Sequence, residues 1–339
     1  MRESNIKEIT DKKKWEDFNV SFLYPAYFQS WNWGEVQKRK GIEVKRFGLF
    51  NKSRLVAIFQ TFNIKAKRGH FIHVRHGPVM KDVQREHVKA VIDFLKQYTL
   101  DKKASFIRIS PLREDTSENA LMLKGCGFKE SPVRNLDAEN RWVLTLKEDI
   151  NKIFSNMRKT TRYLVRKAEN SNIKIVRSTD IYDIAGFYSI YNQTAKFKQF
   201  VPHESIQEEF EEFKKNKSVT LYFAKFNDRI LAEAMIVYYG KEAMYRHGAT
   251  STEGRKTPAS YLLQWEVIKD AHKAGMRMYN FWGITKKDNP SDPWYGLSQF
   301  KKGFGGQQLD FIHSMDLPLK PTYWISYLID YLTKLKKSH

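Results

Sequence analysis

Cysteine is nearly absent from this chain of 339 residues, and Cys126 is the single one. One thiol excludes an internal disulfide and a cysteine-rich zinc site, which suits a reducing cytoplasm. Long apolar runs are missing too, because no stretch approaches the roughly 18 consecutive apolar residues that span a bilayer. We therefore expect a soluble, cytoplasmic protein that is at most peripheral to the cytoplasmic membrane.

Acidic residues are scarce: 38 Asp and Glu stand against 59 Lys and Arg, a formal net charge of +21. A field of this sign favours polyanions, namely nucleic acid, anionic lipid or phosphorylated substrates, without choosing among them. The histidines, including His70, His73 and His76, lack zinc-ligand spacing, and no Ser/His/Asp set stands out. We expect no metal and no cofactor, and we interpret His73 and His76 as structural.

Hydrophobic residues make up 41% of the chain, which is enough for two compact domains. A hairpin pattern of strand, tight turn and strand occurs once in each half, at Val44–Phe50 with Leu55–Ile64 and at Val219–Phe226 with Ile230–Tyr239. A helix and a short strand follow each hairpin, at 83–100 with 105–110 and at 259–274 with 276–283. The repeated order predicts two tandem α/β domains.

A second repeat supports the duplication. Leu123–Phe128 and Phe300–Gly305 both look like a helix end followed by a glycine turn. In the second copy the turn carries a lysine pair beside an apolar strand, and the glycines would let the backbone approach a substrate. A lysine held there can stabilise negative charge on a reacting carbonyl.

Two further segments carry charge or an apolar stripe. A basic helix is predicted from Leu146 to about Asn170, with one face formed by Arg158, Arg162 and Arg166 beside Lys159. It is either a solvated face or a phosphate or RNA contact. The C-terminal segment from Tyr323 to Lys337 is amphipathic, and we expect its apolar side to pack onto a domain, with a membrane surface as the alternative. That apolar side consists of Trp324, Ile325, Leu328, Ile329 and Leu332.

The order of several motifs resembles the Fem-type peptidoglycan bridge aminoacyltransferases. The motifs are Phe28–Val36, Tyr245 with Gly248–Ser251, Pro258–Ala259, Leu262–Glu266, Tyr279–Ile284 and Gly296–Gly306. They extend over most of the chain. Some members insert a long helical hairpin, whereas this chain has no heptad segment of that length and resembles the compact members.

The resemblance implies a fold, a division of labour and a reaction. It implies two tandem domains of the GNAT-type N-acetyltransferase fold, with the C-terminal segment returning to the first. We expect domain 1 to comprise residues 1–145 and about 312–339 and to bind the acceptor, and domain 2, residues 146–311, to bind aminoacyl-tRNA. The reaction would move an amino acid from aminoacyl-tRNA to an amine of the peptidoglycan stem peptide, carried on UDP-MurNAc-pentapeptide or on lipid II.

The resemblance also assigns roles to residues in domain 2. The family's Phe-Lys pair falls on Phe300 and Lys301, so that Lys301 would stabilise the oxyanion or the tRNA end and Phe300 would shape the pocket. The family's tyrosine position holds His247, and Tyr245 places an aromatic ring two residues earlier, on the same strand face by alternation. His247 is a candidate proton shuttle. The basic face with Arg158, Lys159, Arg162 and Arg166 would contact tRNA.

Binding of the acceptor's phosphates is where the chain departs from the family. The lysine expected after the Trp-rich helix, which contains Trp33, falls on Gln37 or Lys38. The expected arginine falls near Phe197, between Lys196 and Lys198. A lysine binds phosphate as a point charge and loses the bidentate geometry of arginine.

Two other functions remain open. One is an acyl-CoA-dependent N-acyltransferase of the same fold, which usually binds pyrophosphate with an Arg/Gln-x-x-Gly-x-Gly/Ala turn. Phe300 stands where that Arg or Gln should be, which counts against it. The other is a non-catalytic protein that binds RNA or an anionic surface, supported by charge alone.

Overall fold

A computed structural model describes residues 4–81, 83–134, 137–198 and 205–336. The chain forms two compact units. Unit 1 comprises Met1–Glu139 and Asp310–His339, and unit 2 comprises Asn140–Leu309. In the described ranges no helix is long and apolar enough to cross a membrane.

Unit 1 is one mixed sheet with helices. Its strands are β1 (Ser4–Glu8), β2 (Glu43–Asn51), β3 (Arg54–Ala66), β4 (Gly69–Arg75), β5 (Val79–Met80), β6 (Phe106–Ser110), β7 (Lys129–Glu130) and β15 (Met315–Pro318). Its helices are α1 (Lys12–Asn19), α2 (Trp31–Arg39), α3 (Arg85–Asp101), α4 (Ser117–Gly125) and α11 (Tyr323–Lys336). β4 and β6 pair in parallel over five residues, and the other strand pairs are antiparallel.

Unit 2 has the same kind of sheet. Its strands are β8 (Asn140–Thr145), β9 (Lys174–Ser178), β10 (Val219–Phe226), β11 (Arg229–Tyr239), β12 (Glu242–Thr250), β13 (Met278–Gly283) and β14 (Gln307–Asp310). Its helices are α5 (Ile150–Ser155), α6 (Lys159–Glu169), α7 (Asp183–Lys198), α8 (Ile206–Lys214), α9 (Ala259–Lys273) and α10 (Tyr295–Lys302). A buried apolar cluster with Ile236, Leu263 and Phe281 joins the sheet to α9.

The strand orders show the predicted duplication. Unit 1 runs β1-β2-β3-β4-β6-β15-β7, and unit 2 runs β9-β10-β11-β12-β13-β8-β14. Each of these seven positions has its counterpart in the other sheet, including the parallel pair in the middle, and β5 pairs with β3 outside this order. The place beside that pair is filled by β15 in unit 1 and by β8 in unit 2. The C-terminal segment therefore returns to complete the first sheet.

Two predicted elements are wrong in detail. The helix expected from Leu146 to Asn170 is two helices. Asp149 caps the start of α5, this helix ends at Ser155, and α6 begins at Lys159. At the C-terminus, α11 does pack onto the sheet of unit 1, but through Tyr323, Ser326 and Asp330. The apolar side chains expected to face the core are exposed instead.

A buried ion network fixes that orientation of α11. The Arg108 guanidinium on β6 donates to both carboxylate oxygens of Asp316 on β15, at 2.7 and 2.8 Å, and to Asp330 at 2.9 Å. All three side chains are buried. A buried guanidinium needs these partners, since an unpaired charge in the interior is costly. The network therefore attaches β15 and α11 to the centre of the first sheet.

We expect the substitution Asp316→Ala to destabilise unit 1 by about 3–5 kcal/mol, because it leaves Arg108 buried without its bidentate partner. Urea unfolding, with amide exchange of β6 and β15 as a local probe, measures the loss. The matched control is Asp93→Ala, which removes an exposed ion pair with Lys89 and should cost less than about 1 kcal/mol. Equal losses in the two variants would contradict the role of the network.

Candidate active site

The second sheet opens at its parallel pair. β12 and β13 are paired only from Glu242 with Met278 to Met244 with Asn280, although β12 continues to Thr250 and β13 to Gly283. Both strands are irregular beyond that point. β12 bulges against β11, and β13 bulges against β8. Bulges redirect side chains and end strand pairing, and they are frequent beside active sites.

Trp282 sits at the bulge of β13 in a strained conformation. Its φ is +67°, a left-handed value that costs a bulky residue on the order of 1–3 kcal/mol. The Arg246 guanidinium lies 4.2 Å from its ring centroid and that of Arg141 lies 5.1 Å away. Its backbone N–H donates to the Asn280 side chain at 2.8 Å. Such strain persists only where the surroundings enforce it.

The bulge of β12 separates two predicted site residues. His247 pairs with Met235 and Tyr245 pairs with Ile236, so the intervening Arg246 is the extra residue. Successive residues of β11 face opposite sides, and Tyr245 and His247 therefore do so as well. The prediction that they share a strand face is wrong. Tyr245 packs against the α9 side of the core, where burial raises its pKa.

Arg246 and His247 both contact Glu209 on α8. Arg246 Nε donates to Glu209 Oε1 at 2.8 Å, and His247 Nε2 lies 3.0 Å from Oε2. Burial alone would raise the pKa of Glu209, but its two basic partners hold that pKa well below its usual range. Burial lowers the pKa of His247, against the pull of the carboxylate. This buried group ties α8 to the bulge of β12.

Lys301 is buried at the end of β13, where the parallel pair opens. Its side chain extends from α10, is 4% exposed, and donates from Nζ to the Gly283 carbonyl at the end of β13, at 2.6 Å. Within the described residues no carboxylate lies within ion-pair distance of it. Burial therefore lowers the pKa of Lys301 to about 7. An ammonium has three donors, so a ligand can take the two that remain.

The repeat shows that this lysine stands at a core position. Leu123 O accepts from Cys126 N at the end of α4, and Lys301 O accepts from Phe304 N at the end of α10. The following glycines, Gly127 and Gly305, have φ values of +91° and +80°. Leu123, the counterpart in unit 1, is an ordinary core residue. Unit 2 thus buries an amine where its duplicate buries a leucine, at a cost to stability.

Phe300 lines the same region, and the glycine turn has a structural reason. The Phe300 ring is half-buried against Tyr261 and Phe304, with centroid distances of 5.0 and 5.3 Å. Trp142 donates from Nε1 to the Gly305 carbonyl at 2.7 Å, and a Cβ on Gly306 would stand 2.2 Å from Val143 O. The glycines therefore allow close approach to β8, and the expected approach of the backbone to a substrate stays a prediction.

The basic helix adjoins α10. Arg158 is the N-cap of α6, and its backbone N–H donates to Gly303 O at 2.9 Å, while its Nη2 donates to the Gln299 side chain at 3.3 Å. Lys159 and Arg166 are exposed. Arg162 is half-buried, because its guanidinium donates to the Ser155 and Met157 carbonyls at the end of α5. Three of the four predicted cations, Arg158, Lys159 and Arg166, thus remain exposed on α6.

The remaining predicted residues lie elsewhere. Lys196 is exposed on α7, and Lys198 is the last residue of that helix. The side chains of Phe197 and Lys198 lie outside the described part of the structure. Trp33, Gln37 and Lys38 lie on α2 of unit 1.

Within α2 the predicted phosphate ligands are already engaged or buried. Lys38 Nζ contacts Glu35 at 3.0 Å, and Gln37 is buried. Trp33 packs on Phe28 with a centroid distance of 4.8 Å. A different cation lies against these rings: the guanidinium of Arg75 is 3.6 Å from the Phe28 centroid.

Sequence reasoning missed Arg75, Glu209, Arg246 and Trp282. Arg75 Nε donates to Asp137 at 2.8 Å, and burial lowers the pKa of nearby His73 to about 3. The neutral, buried His73 agrees with its structural interpretation. For Trp282 the only available signal was its place in the Tyr279–Ile284 strand, since a left-handed tryptophan has no pattern of its own.

Comparison with known proteins decides the family. The FemAB family model matches residues 10–230 and 203–331, which is most of the chain. The chain belongs to the FemAB family. The aminoacyltransferase FemA of Staphylococcus aureus is 31% identical over 96 residues, which are 28% of this chain and 22% of that protein. The chain therefore matches about a fifth of the length of this curated relative.

Solved structures confirm the fold. The crystal structure of FemX is similar with a TM-score of 0.84 and 18% identity, covering 96% of this chain and 100% of that one. A tandem GNAT protein from the clavulanic acid pathway gives a TM-score of 0.60 at 10% identity, covering 94% and 99%. The predicted pair of GNAT-like domains in a FemAB family protein is thus correct.

We expect Lys301→Met to stabilise unit 2 at pH 7 by about 2–4 kcal/mol, because the buried amine no longer pays for desolvation. The unfolded chain keeps the ordinary lysine pKa of 10.5, against about 7 when folded. Stability of the native protein should therefore rise as pH increases between these values, and the variant should lose that rise.

Urea unfolding at about pH 7 and about pH 9.5 measures both effects. Lys302→Met is the matched control, since Lys302 pairs with Asp288 at 2.7 Å and its loss should bring no gain. An unchanged or lower stability of Lys301→Met at pH 7 would show that the lysine is not a destabilising core substitution.

Proposed function

We propose that this protein is an aminoacyl-tRNA-dependent transferase of peptidoglycan bridge synthesis. It would move an amino acid onto an amine of the stem peptide of a cell-wall precursor. Family membership supports the reaction class, and the buried, unpaired amine of Lys301 is the observation that carries the catalytic assignment. We propose that the reaction takes place in the cytoplasm, at or near the inner face of the membrane.

The chemistry asks little of the enzyme beyond alignment and charge stabilisation. The acceptor nitrogen attacks the ester carbonyl, the tetrahedral oxyanion collapses, and the C–O bond to the tRNA ribose breaks as the C–N bond forms. The nitrogen loses a proton and the departing ribose oxygen gains one. No covalent enzyme intermediate is needed, because the ester is already activated. The proposed role of the enzyme is to donate hydrogen bonds to the oxyanion.

Lys301 fits that role by position and protonation. Its bond to Gly283 O orients Nζ at the open end of β13 and leaves donors for a transient oxyanion. In a buried site such a donor is worth more than in water. Phe300 and Trp282 supply flat apolar walls beside it. We assign the donor to unit 2 and the acceptor to unit 1, where Trp33, Gln37 and Lys38 remain the proposed contacts.

An acyl-CoA-dependent N-acyltransferase is the second candidate, because the tandem GNAT neighbour shares the fold. A charged-tRNA assay with RNase treatment separates the two. Loss of product after RNase supports the tRNA-dependent reaction, and persistence with acyl-CoA supports the alternative. Mass spectrometry of the precursor then names the amino acid from the mass gain and locates the modified amine.

We expect Lys301→Met to reduce turnover of the precursor by about 10²–10³-fold, as loss of an oxyanion donor does elsewhere. Binding of charged tRNA should change little. The control is Lys302→Met, whose ammonium pairs with Asp288. Equal turnover in Lys301→Met and the native protein would refute the assignment.

The pH profile separates two roles for this lysine. With a pKa of about 7, the protonated donor disappears as pH rises, so an oxyanion role predicts a falling alkaline limb above about pH 7. A general-base role predicts a rising one. Lys301→Arg keeps a permanent charge, and any residual activity of this variant should lack the falling limb.

We expect the double substitution Arg158→Gln and Arg166→Gln to weaken tRNA binding and to lower the slope of log affinity against log salt by about 1–2. With fewer phosphates neutralised by the protein, fewer counterions are released from the tRNA when it binds. Lys214→Gln with Lys217→Gln, at the exposed end of α8 and in the turn that follows it, is the control of equal charge. An unaltered salt slope would show that the basic face of α6 is a solvated surface that does not contact tRNA.

A further inference from the structure

The outer side of α11 is an apolar surface in water. Seven of the sixteen large hydrophobic side chains that are exposed in the described part of the chain lie on this helix. They form the α11 apolar face, with fractional exposures from 38% to 64%: Trp324, Ile325, Leu328, Ile329, Tyr331, Leu332 and Leu335. At 3.6 residues per turn they fill an arc of roughly 160°. A contiguous patch of this kind marks an interaction surface, whereas scattered residues do not.

The inner side of the helix leaves no freedom to turn this face inward. Asp330 is held by Arg108, and Tyr323 is fully buried against Phe106, with a centroid distance of 5.1 Å. A Cβ on Gly69 would meet Ser326 Oγ at 2.2 Å, so the β3–β4 turn sits directly against the helix. Rotating α11 would bury its apolar face only by exposing this network.

Positive charge surrounds the α11 apolar face. Lys129 Nζ lies 4.9 Å from the Trp324 centroid, and the exposed Lys334 stands beside the arc by helical position. The adjoining β3–β4 turn exposes Lys65, Lys67 and Arg68. The single acid of α11 is Asp330, which is buried and points inward. Glu130, the residue that follows Lys129, is an exposed acid.

We propose that α11 docks this protein on a bilayer of anionic phospholipid. Aliphatic and aromatic side chains on one side with lysines along the edges are the pattern of helices that lie in a membrane interface. Acidic headgroups complement the cationic rim. A second copy of the chain fits less well, since a two-fold contact would bring two rims of like charge together.

Docking extends the proposed function, because it would bring the enzyme to an acceptor carried on lipid. It can nevertheless fail or succeed separately, since vesicle binding needs neither charged tRNA nor precursor. A variant that no longer docks should keep transfer to the soluble nucleotide-linked precursor, because it changes only exposed side chains that are not among the proposed site residues.

Vesicle flotation of the full chain tests the proposal. The native protein should float with phosphatidylglycerol vesicles, more weakly at high salt, and poorly with phosphatidylcholine vesicles. Ile325→Ser with Leu328→Ser should lower partitioning at least about tenfold. The control is Leu121→Ser with Tyr182→Ser, two residues that are 66% and 85% exposed elsewhere and should float like the native protein.

Two further measurements show whether α11 contacts the lipid and whether a bilayer or a second copy of the chain covers its apolar face. Bromine-labelled phosphatidylglycerol should quench native tryptophan fluorescence, and Trp324→Phe should lose most of that quenching while still floating. Failure of the native protein to float, or flotation of the Ile325→Ser and Leu328→Ser variant at native levels, would overturn the proposal. A dimer in sedimentation that this variant abolishes, without any vesicle binding, would instead assign the face to a second copy.

Discussion

The burial of one amine is the constraint around which unit 2 is organised. Lys301 reaches a backbone carbonyl at the end of β13, and that carbonyl is available because β13 bulges and parts from β12 just before it. Within the same bulge, Trp282 has a left-handed conformation, and two guanidinium groups lie near its ring. Strain, lost strand pairing and a desolvated lysine all weaken the fold locally, and their concentration at one edge is typical of a functional site.

Duplication provides an internal comparison for this interpretation. Unit 1 repeats the strand order of unit 2, pairs β4 with β6 over five residues, and fills the helix-end position with Leu123. The same scaffold is therefore built there without a buried amine. The differences in unit 2 are not demands of the fold, and the proposed catalytic role of Lys301 rests on them. A single sequence carrying two copies can thus separate structural glycines, such as Gly127 and Gly305, from the substituted lysine.

Hairpins, helices and their repetition could be predicted from the sequence because they depend on local periodicity and turn residues. The predicted hairpin at Val219–Phe226 and the helix starting at Ala259 match the structure within a residue or two. Alternation failed at Tyr245 and His247, because one extra residue in a bulge reverses every following side chain and leaves no mark in composition. The break before α6 was missed for a similar reason: carbonyls of Ser155 and Met157 are satisfied by Arg162, a side-chain contact that periodicity does not encode.

The C-terminal helix shows a different limit, and it also explains where the positive charge goes. Periodicity established that Trp324, Leu328 and Leu332 share a side of α11, but a hydrophobic side is assigned to the core only if nothing binds the other side more strongly. Here Asp330 is held by Arg108 on β6, Tyr323 is buried against Phe106, and Ser326 lies against Gly69, so the opposite side of the helix is bound to the sheet. The net charge of +21 then divides into local surfaces with different partners. One lies on α6, the helix that adjoins α10, and another borders the α11 apolar face. A net charge that named no partner for the whole chain therefore becomes informative once the neighbours of each cation are known.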